Sequence, residues 1–192
     1  MSIGSRAGER EVARAARVRS TTVVAVLREG ELAVGADGQV TLGETVMKQG
    51  AEKVRRVAKG RALVGFAGGV ADALTLIERL EGKFETHPGN VKRAAVELAR
   101  DWRTDRVLRK LEAMILLGDT GSLLMVSGNG DVIEPDDGVA AIGSGGAYAL
   151  AAARSLARHT SMSAREIVEA SLRIAAEICI YTNDRISLEV LP

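Results

Sequence analysis

Thr21-Thr22-Val23-Val24-Ala25-Val26-Leu27, then Glu29-Gly30, then Glu31-Leu32-Ala33-Val34-Gly35-Ala36, is the stretch from which the fold is read. β-Branched residues crowd both halves, and they fit a pleated, packed surface better than a helix. The Glu-Gly pair between them has turn composition, so the segment predicts an opening β-hairpin. The same logic applies to Lys53-Val54-Arg55-Arg56-Val57-Ala58, a turn at Lys59-Gly60, and Arg61-Ala62-Leu63-Val64-Gly65-Phe66-Ala67. A second hairpin is expected there.

Downstream the period changes. Val70, Ala73, Leu74, Ile77, Leu80 and Phe84 fall on one helical stripe, and Val91, Ala94, Ala95, Leu98 and Trp102 on another that ends near Thr104. Strand texture returns over 113–118 and 122–127, with a turn at Thr120-Gly121 and another over 128–131. A strand over 139–143 leads through Ser144-Gly145-Gly146 into an Ala-rich helix over about 147–159. Ser163, with Glu166 three residues on, is a capping box opening a last helix whose expected buried stripe is Ile167, Ala170, Ile174 and Ile178. A strand over 186–190 closes the chain. The order of strands, two helices, strands, two helices and a strand predicts an α+β fold with mainly antiparallel sheets and helices packed outside them. Two such sheets face to face under helical layers make a four-layer α-β-β-α sandwich; the pattern alone reaches α+β.

Residues 1–20 read differently, as a charged, Ala-rich segment with five arginines and no apolar run. The segment reads as a mobile arm, a surface helix or a removable pro-segment, less well as a transit peptide because of Glu9 and Glu11, and not as a secretory signal. With 26 basic and 25 acidic residues there is no global field to attract nucleic acid or an anionic membrane. No apolar run approaches the ~20 residues that span a bilayer. Cys179 is the only cysteine, so no internal disulfide forms, and His87 and His159 stand apart from any second metal ligand. A cytoplasmic protein is expected.

The sequence holds no phosphate-binding Gly-Lys-Ser/Thr loop, no G-x-S-x-G elbow and no H-E-x-x-H. Gly143-Ser144-Gly145-Gly146 reads first as a tight strand-to-helix turn. What remains is Thr21 at a sharp change of texture, Asp37-Gly38 after the second strand, Lys53 and Gly65. Each alone is ordinary: a strand former, a turn, a solvated charge, a bend.

In order and spacing, however, these residues resemble one family. The motifs are Thr21-Thr22-Val23-Val24, Gly35-Ala36-Asp37-Gly38-Gln39, Thr45-Val46-Met47-Lys48, Lys53-Val54-Arg55-Arg56 and Gly65-Phe66-Ala67-Gly68-Gly69. They continue with Asp101-Trp102-Arg103-Thr104-Asp105-Arg106, Gly128-Asn129-Gly130-Asp131, Ile142-Gly143-Ser144-Gly145-Gly146 and Cys179-Ile180-Tyr181-Thr182-Asn183-Asp184. Together they resemble the bacterial proteasome-related peptidases of the HslV type, over essentially all of 21–192. The resemblance implies the N-terminal-nucleophile hydrolase form of the sandwich and a threonine endopeptidase. In such an enzyme residues 1–20 are removed and Thr21 becomes the nucleophile. A freed α-amine, with an ordinary pKa of ~8, is the base for the Thr21 hydroxyl.

The resemblance further assigns Lys53 as the cation that keeps this amine unprotonated and Asp37 as the group that holds both. Gly65 becomes the backbone donor to the oxyanion, and Ser144 a hydrogen-bonding partner near the amine. It implies a sodium ion held by the carbonyls of Ala176, Cys179 and Thr182, with Ala176 standing where glycine is more usual. The implied assembly is a homo-dodecamer of two stacked hexameric rings. An AAA+ unfoldase of the HslU type caps it, uses the ATP and delivers unfolded proteins. The other readings are an amidase of the same fold acting on small amides, and a catalytically silent ring subunit whose leader stays attached.

Overall fold

The computed structural model describes residues 18–19, 21–111 and 113–192. Chain order is β1 (Val18–Arg19), β2 (Thr22–Arg28), β3 (Glu31–Asp37), β4 (Val40–Leu42), β5 (Thr45–Lys48), β6 (Val54–Val57) and β7 (Ala62–Gly68). Helices α1 (Val70–Thr86) and α2 (Val91–Thr104) follow. Then come β8 (Ala113–Asp119), β9 (Ser122–Ser127), β10 (Val132–Ile133) and β11 (Val139–Gly143), and finally α3 (Gly146–His159), α4 (Ala164–Ile178) and β12 (Ile186–Leu191). The expected pro-segment lies outside the described residues except for the backbone of β1, which pairs antiparallel with β4.

The opening hairpin forms because its turn accepts positive φ at both central residues, 53° at Glu29 and 83° at Gly30. That is the mirror-image turn whose twist matches the flanking strands. It sits at the centre of a four-stranded sheet of order β11-β2-β3-β12, and the second hairpin ends a five-stranded sheet of order β10-β9-β8-β7-β6. Every pairing in both sheets is antiparallel.

The central strands β2, β3 and β7 are buried on both faces, which explains their continuous apolar runs where a half-solvated strand would alternate. Val23, Leu32, Val34, Leu63, Leu116 and Ile142 fill the space between the sheets. On the outer face of the five-stranded sheet, Phe66, Ile115 and Leu117 meet Leu76, Leu80, Leu98 and Trp102 of α1 and α2. On the outer face of the other, Val24 and Val26 meet Ile167, Val168 and Leu172 of α4. The layers are therefore α-β-β-α, as expected.

The structure departs from or adds to the sequence reading at three places. In α1 the core position is Leu76, while Leu74 is exposed. In α4 the buried face is Ala164, Ile167, Val168, Ser171, Leu172 and Ala175. Ile174 and Ile178 are exposed and Ala170 is half-buried. The helix turns this face inward because it sits on Gly35, where a Cβ would lie 2.5 Å from Val168 Cγ1 and 2.9 Å from Leu172 Cδ1. The polar Ser171 tolerates burial by returning its hydroxyl to the Ile167 carbonyl at 2.6 Å. Third, β4 and β5 form an additional hairpin, bonded to β1, whose β5 residues are all exposed.

Candidate active site

Thr21 immediately precedes β2, at the edge of a cleft of about 430 Å³ that it lines with Val40, Lys48, Ala51, Lys53, Phe66 and others. Its carbonyl accepts the backbone N–H of Ser144 at 2.8 Å. This contact demands glycine just before: Gly143 has φ of +91°, and a Cβ there would lie 1.9 Å from the Thr21 oxygen.

Asp37, at the end of β3, is fully buried and its carboxylate organises the site. One oxygen, Oδ1, accepts both the backbone N–H of Thr22 at 2.8 Å and the Lys53 ammonium at 2.9 Å. The other, Oδ2, accepts the backbone N–H groups of Gln39 at 2.9 Å and Asn183 at 3.4 Å. A buried carboxylate is tolerable only when its lone pairs are met in this way. Lys53 also donates to the Gln39 carbonyl at 2.6 Å. Burial draws the Lys53 ammonium below its ordinary pKa, while the charge and hydrogen bond of Asp37 oppose that shift. Thr21, Asp37 and Lys53 are thus brought together, with Asp37 Oδ1 shared between the lysine and the residue next to Thr21.

Thr22, the other threonine at the start of β2, faces away from the cleft's lining residues. It is completely buried, its hydroxyl lies 2.7 Å from that of Thr182, and it accepts the Gly145 N–H at 2.9 Å. A Cβ on Gly145 would strike both hydroxyls, at 2.3 and 2.6 Å. The Gly-Ser-Gly-Gly turn is therefore built to fit the start of β2.

Gly65 lies within β7, opposite Val54 and Leu116, and is not among the residues that line the cleft, whereas Phe66 and Gly68 are. Its smallness answers to packing: a Cβ would lie 2.5 Å from Val23 Cγ1 and 3.1 Å from Val34 Cγ1. Ser144 contributes the backbone contact described above.

Ala176, Cys179 and Thr182 gather at the C-terminal end of α4. The Thr182 N–H bonds the Cys179 carbonyl at 3.0 Å, curling the loop back onto the helix end. Carbonyls of a last turn carry the negative end of the helix dipole, and no basic residue occupies the last turn of α4. Neutral oxygen donors of this kind fit a hard monovalent cation. Because the Thr182 hydroxyl is engaged with Thr22, only its carbonyl would serve. Among the described residues no group of three or more His, Cys, Asp or Glu could hold a metal.

Gln39 and Asn183 were not singled out from the sequence, Gly143 and Gly145 were read only as a tight turn and Thr182 only as an implied cation ligand, although all fall within the motifs quoted for the resemblance. Comparison with known proteins agrees with the geometry. The family described as proteasome subunit matches residues 18–191.

The chain belongs to the proteasome subunit family.

The ATP-dependent protease subunit HslV of Chlorobium luteolum is 60% identical over 172 residues, 90% of this chain and 94% of that protein. The crystal structure of a eukaryotic HslV from Trypanosoma brucei superposes with a TM-score of 0.85 at 44% identity, covering 88% of this chain and 98% of that one. Thiobacillus denitrificans BPH shares the fold, with a TM-score of 0.70 at 22% identity over 88% of this chain and 97% of that one. HslV is a threonine peptidase of this family, and the chain is an enzyme of that class. No helix among the described residues is long and apolar enough to cross a membrane.

Proposed function

We propose that the chain is the proteolytic subunit of an ATP-dependent protease, with Thr21 as its N-terminal nucleophile once residues 1–20 are removed. The observation that carries this reading is the Asp37 carboxylate, which ties Lys53 to the first residue of β2 at the mouth of the Thr21 cleft.

In the precursor the Thr21 nitrogen is an amide and cannot act as a base. Attack of Thr21 Oγ on the Ser20 carbonyl carbon forms an ester as the Ser20–Thr21 C–N bond breaks, and the nitrogen takes the hydroxyl's proton. Water then cleaves the ester, releasing residues 1–20 as a carboxylic acid and leaving a free α-amine. In the mature enzyme that amine accepts the Oγ proton as Oγ attacks a peptide carbonyl. It then gives the proton to the leaving amine, and activates water to hydrolyse the acyl ester. Lys53 disfavours protonation of the α-amine by charge repulsion, and Asp37 fixes Lys53 in place. The Gly65 N–H is assigned to the developing oxyanion, and the Ser144 hydroxyl to the amine.

Ala176, Cys179 and Thr182 would hold a sodium ion by their carbonyls. When bound, the ion supplies positive charge that stiffens the loop after α4. The proposed assembly is two stacked hexameric rings in the cytoplasm, capped by an AAA+ unfoldase of the HslU type that feeds in unfolded proteins.

Intact-mass measurement of the purified protein should show a start at Thr21. Casein or peptide-amide hydrolysis should rise when the unfoldase and ATP are added. Thr21→Ala should abolish both processing and hydrolysis, and Thr21→Ser should retain part of each. Full activity in Thr21→Ala would overturn the reading. Persistence of residues 1–20 in an inactive protein would favour the silent ring subunit.

A further inference from the structure

The loop from Cys179 to Arg185 is stitched to the active-site strand by bonds that the hydrolysis does not use. Ile180 offers its carbonyl to the Gln39 side chain at 3.0 Å. The centre of the stitching is Asn183. Its Oδ1 accepts the backbone N–H groups of Gly38 at 3.0 Å and Arg185 at 3.2 Å, its Nδ2 donates to the Gln49 carbonyl at 3.0 Å, and its own backbone N–H reaches Asp37 Oδ2. The three segments meet so closely at Gly38 that a Cβ there would lie 2.3 Å from the Gln49 carbonyl oxygen and 3.0 Å from that of Arg185. Gly38 in turn accepts the Ala51 N–H at 2.8 Å.

On one side of Asn183 stands the end of β3 that carries Asp37. On the other is the stretch from Gln49 to Lys53, of which Gly50, Ala51, Glu52 and Lys53 line the cleft. We propose that Asn183 is a positioning residue of the peptidase, a two-sided amide bracket that fixes the Asp37 end of β3 against the Gln49–Lys53 wall of the cleft. The inference rests on the threonine-nucleophile reading and deepens it. An amide suits the position because it accepts on one side and donates on the other; a carboxylate could do only the first.

Loosening the bracket lets Asp37 drift from Lys53. Asp37 is what opposes the downward pull of burial on Lys53, so the lysine then loses its proton at lower pH. The other charged groups lining the cleft around Lys53 are Lys48, Glu52 and Arg55, and the substitution leaves them in place.

The test uses the full-length chain carrying Asn183→Ala or Asn183→Asp. The fraction beginning at Thr21 is counted by intact mass, and fluorogenic-peptide kinetics are scaled to that fraction. Both variants should lower kcat by about ten- to a hundredfold, since misplacement of catalytic groups by about 1 Å has that reach. KM should stay within about twofold, and in Asn183→Ala the alkaline limb of kcat against pH should move to lower pH. Asn183→Asp keeps the acceptor for Gly38 and loses the donor to Gln49, so it should not restore the rate. Unchanged kcat and an unmoved alkaline limb in Asn183→Ala would overturn the inference. So would a drop in Tm with normal kcat per processed subunit, or a wild-type rate in Asn183→Asp. Thr21→Ala in the same series separates the two readings: if it is inactive while Asn183→Ala behaves as wild type, only the bracket fails.

Discussion

Gly65→Ala should destabilise the protein through packing, and Val23→Ala should repair it. The new Cβ would sit 2.5 Å from Val23 Cγ1, about 1–1.5 Å inside the ~3.5–4.0 Å of an ordinary carbon contact. Val23 is fully buried between the sheets and β-branched, so it cannot swing aside without an off-rotamer cost. Overpacking of this kind costs about 1–3 kcal/mol. Val23→Ala alone removes two methyl groups, about 1.6 kcal/mol of transfer energy plus a cavity term. In the double variant the added methyl enters the space the valine leaves, and the nearest remaining contact is Val34 Cγ1 at 3.1 Å. The combined loss should therefore fall short of the sum by roughly 1–2 kcal/mol. Alanine keeps the backbone N–H assigned to the oxyanion, so peptidase activity should return along with stability. Urea unfolding of the four variants at one protein concentration, with peptide hydrolysis on the same samples, decides it. Additive losses would refute the packing argument. Restored stability without restored activity would refute the claim that only the N–H matters for chemistry.

Gly143→Ala places a Cβ 1.9 Å from the Thr21 carbonyl oxygen at a positive φ, so it should block processing even where the chain folds; intact mass and circular dichroism on one sample check this. Asp37→Asn leaves the buried Lys53 ammonium without its counter-charge and should cost about 3–5 kcal/mol in unfolding experiments. Adding Lys53→Met should recover part of that loss, and a cost below about 1 kcal/mol would contradict the pairing. Because burial lowers the Lys53 pKa, the folded state binds fewer protons than the unfolded chain between the lowered value and the ordinary 10.5. Stability from this residue should therefore rise with pH across that window. The alkaline limb of kcat should likewise fall below 10.5, and a limb at or above that value would show that Lys53 is not the titrating cation.

Both long hairpins were legible because turn residues and β-branched runs are local signals, and α2 because its stripe is unambiguous. The face of α4 was not: isoleucines at 174 and 178 made the more apolar stripe, yet Gly35 on a distant strand decides which side can approach. The β4–β5 hairpin was missed because its exposed residues carry no burial pattern. At the site, Thr21, Asp37 and Lys53 were found through the order of their motifs. Asn183 and Gly143 act through contacts 145 and 122 residues away in the chain, a distance that no local pattern encodes.

The bonds described around the nucleophile grip the Thr21 carbonyl, the Thr22 amide and the Thr22 hydroxyl, all of them on the far side of the Ser20–Thr21 junction. Severing that junction would therefore untie none of these moorings. Maturation on such a scaffold changes one nitrogen from an amide into an amine while these anchors hold the start of β2; what departs with the leader is the β1 pairing on β4.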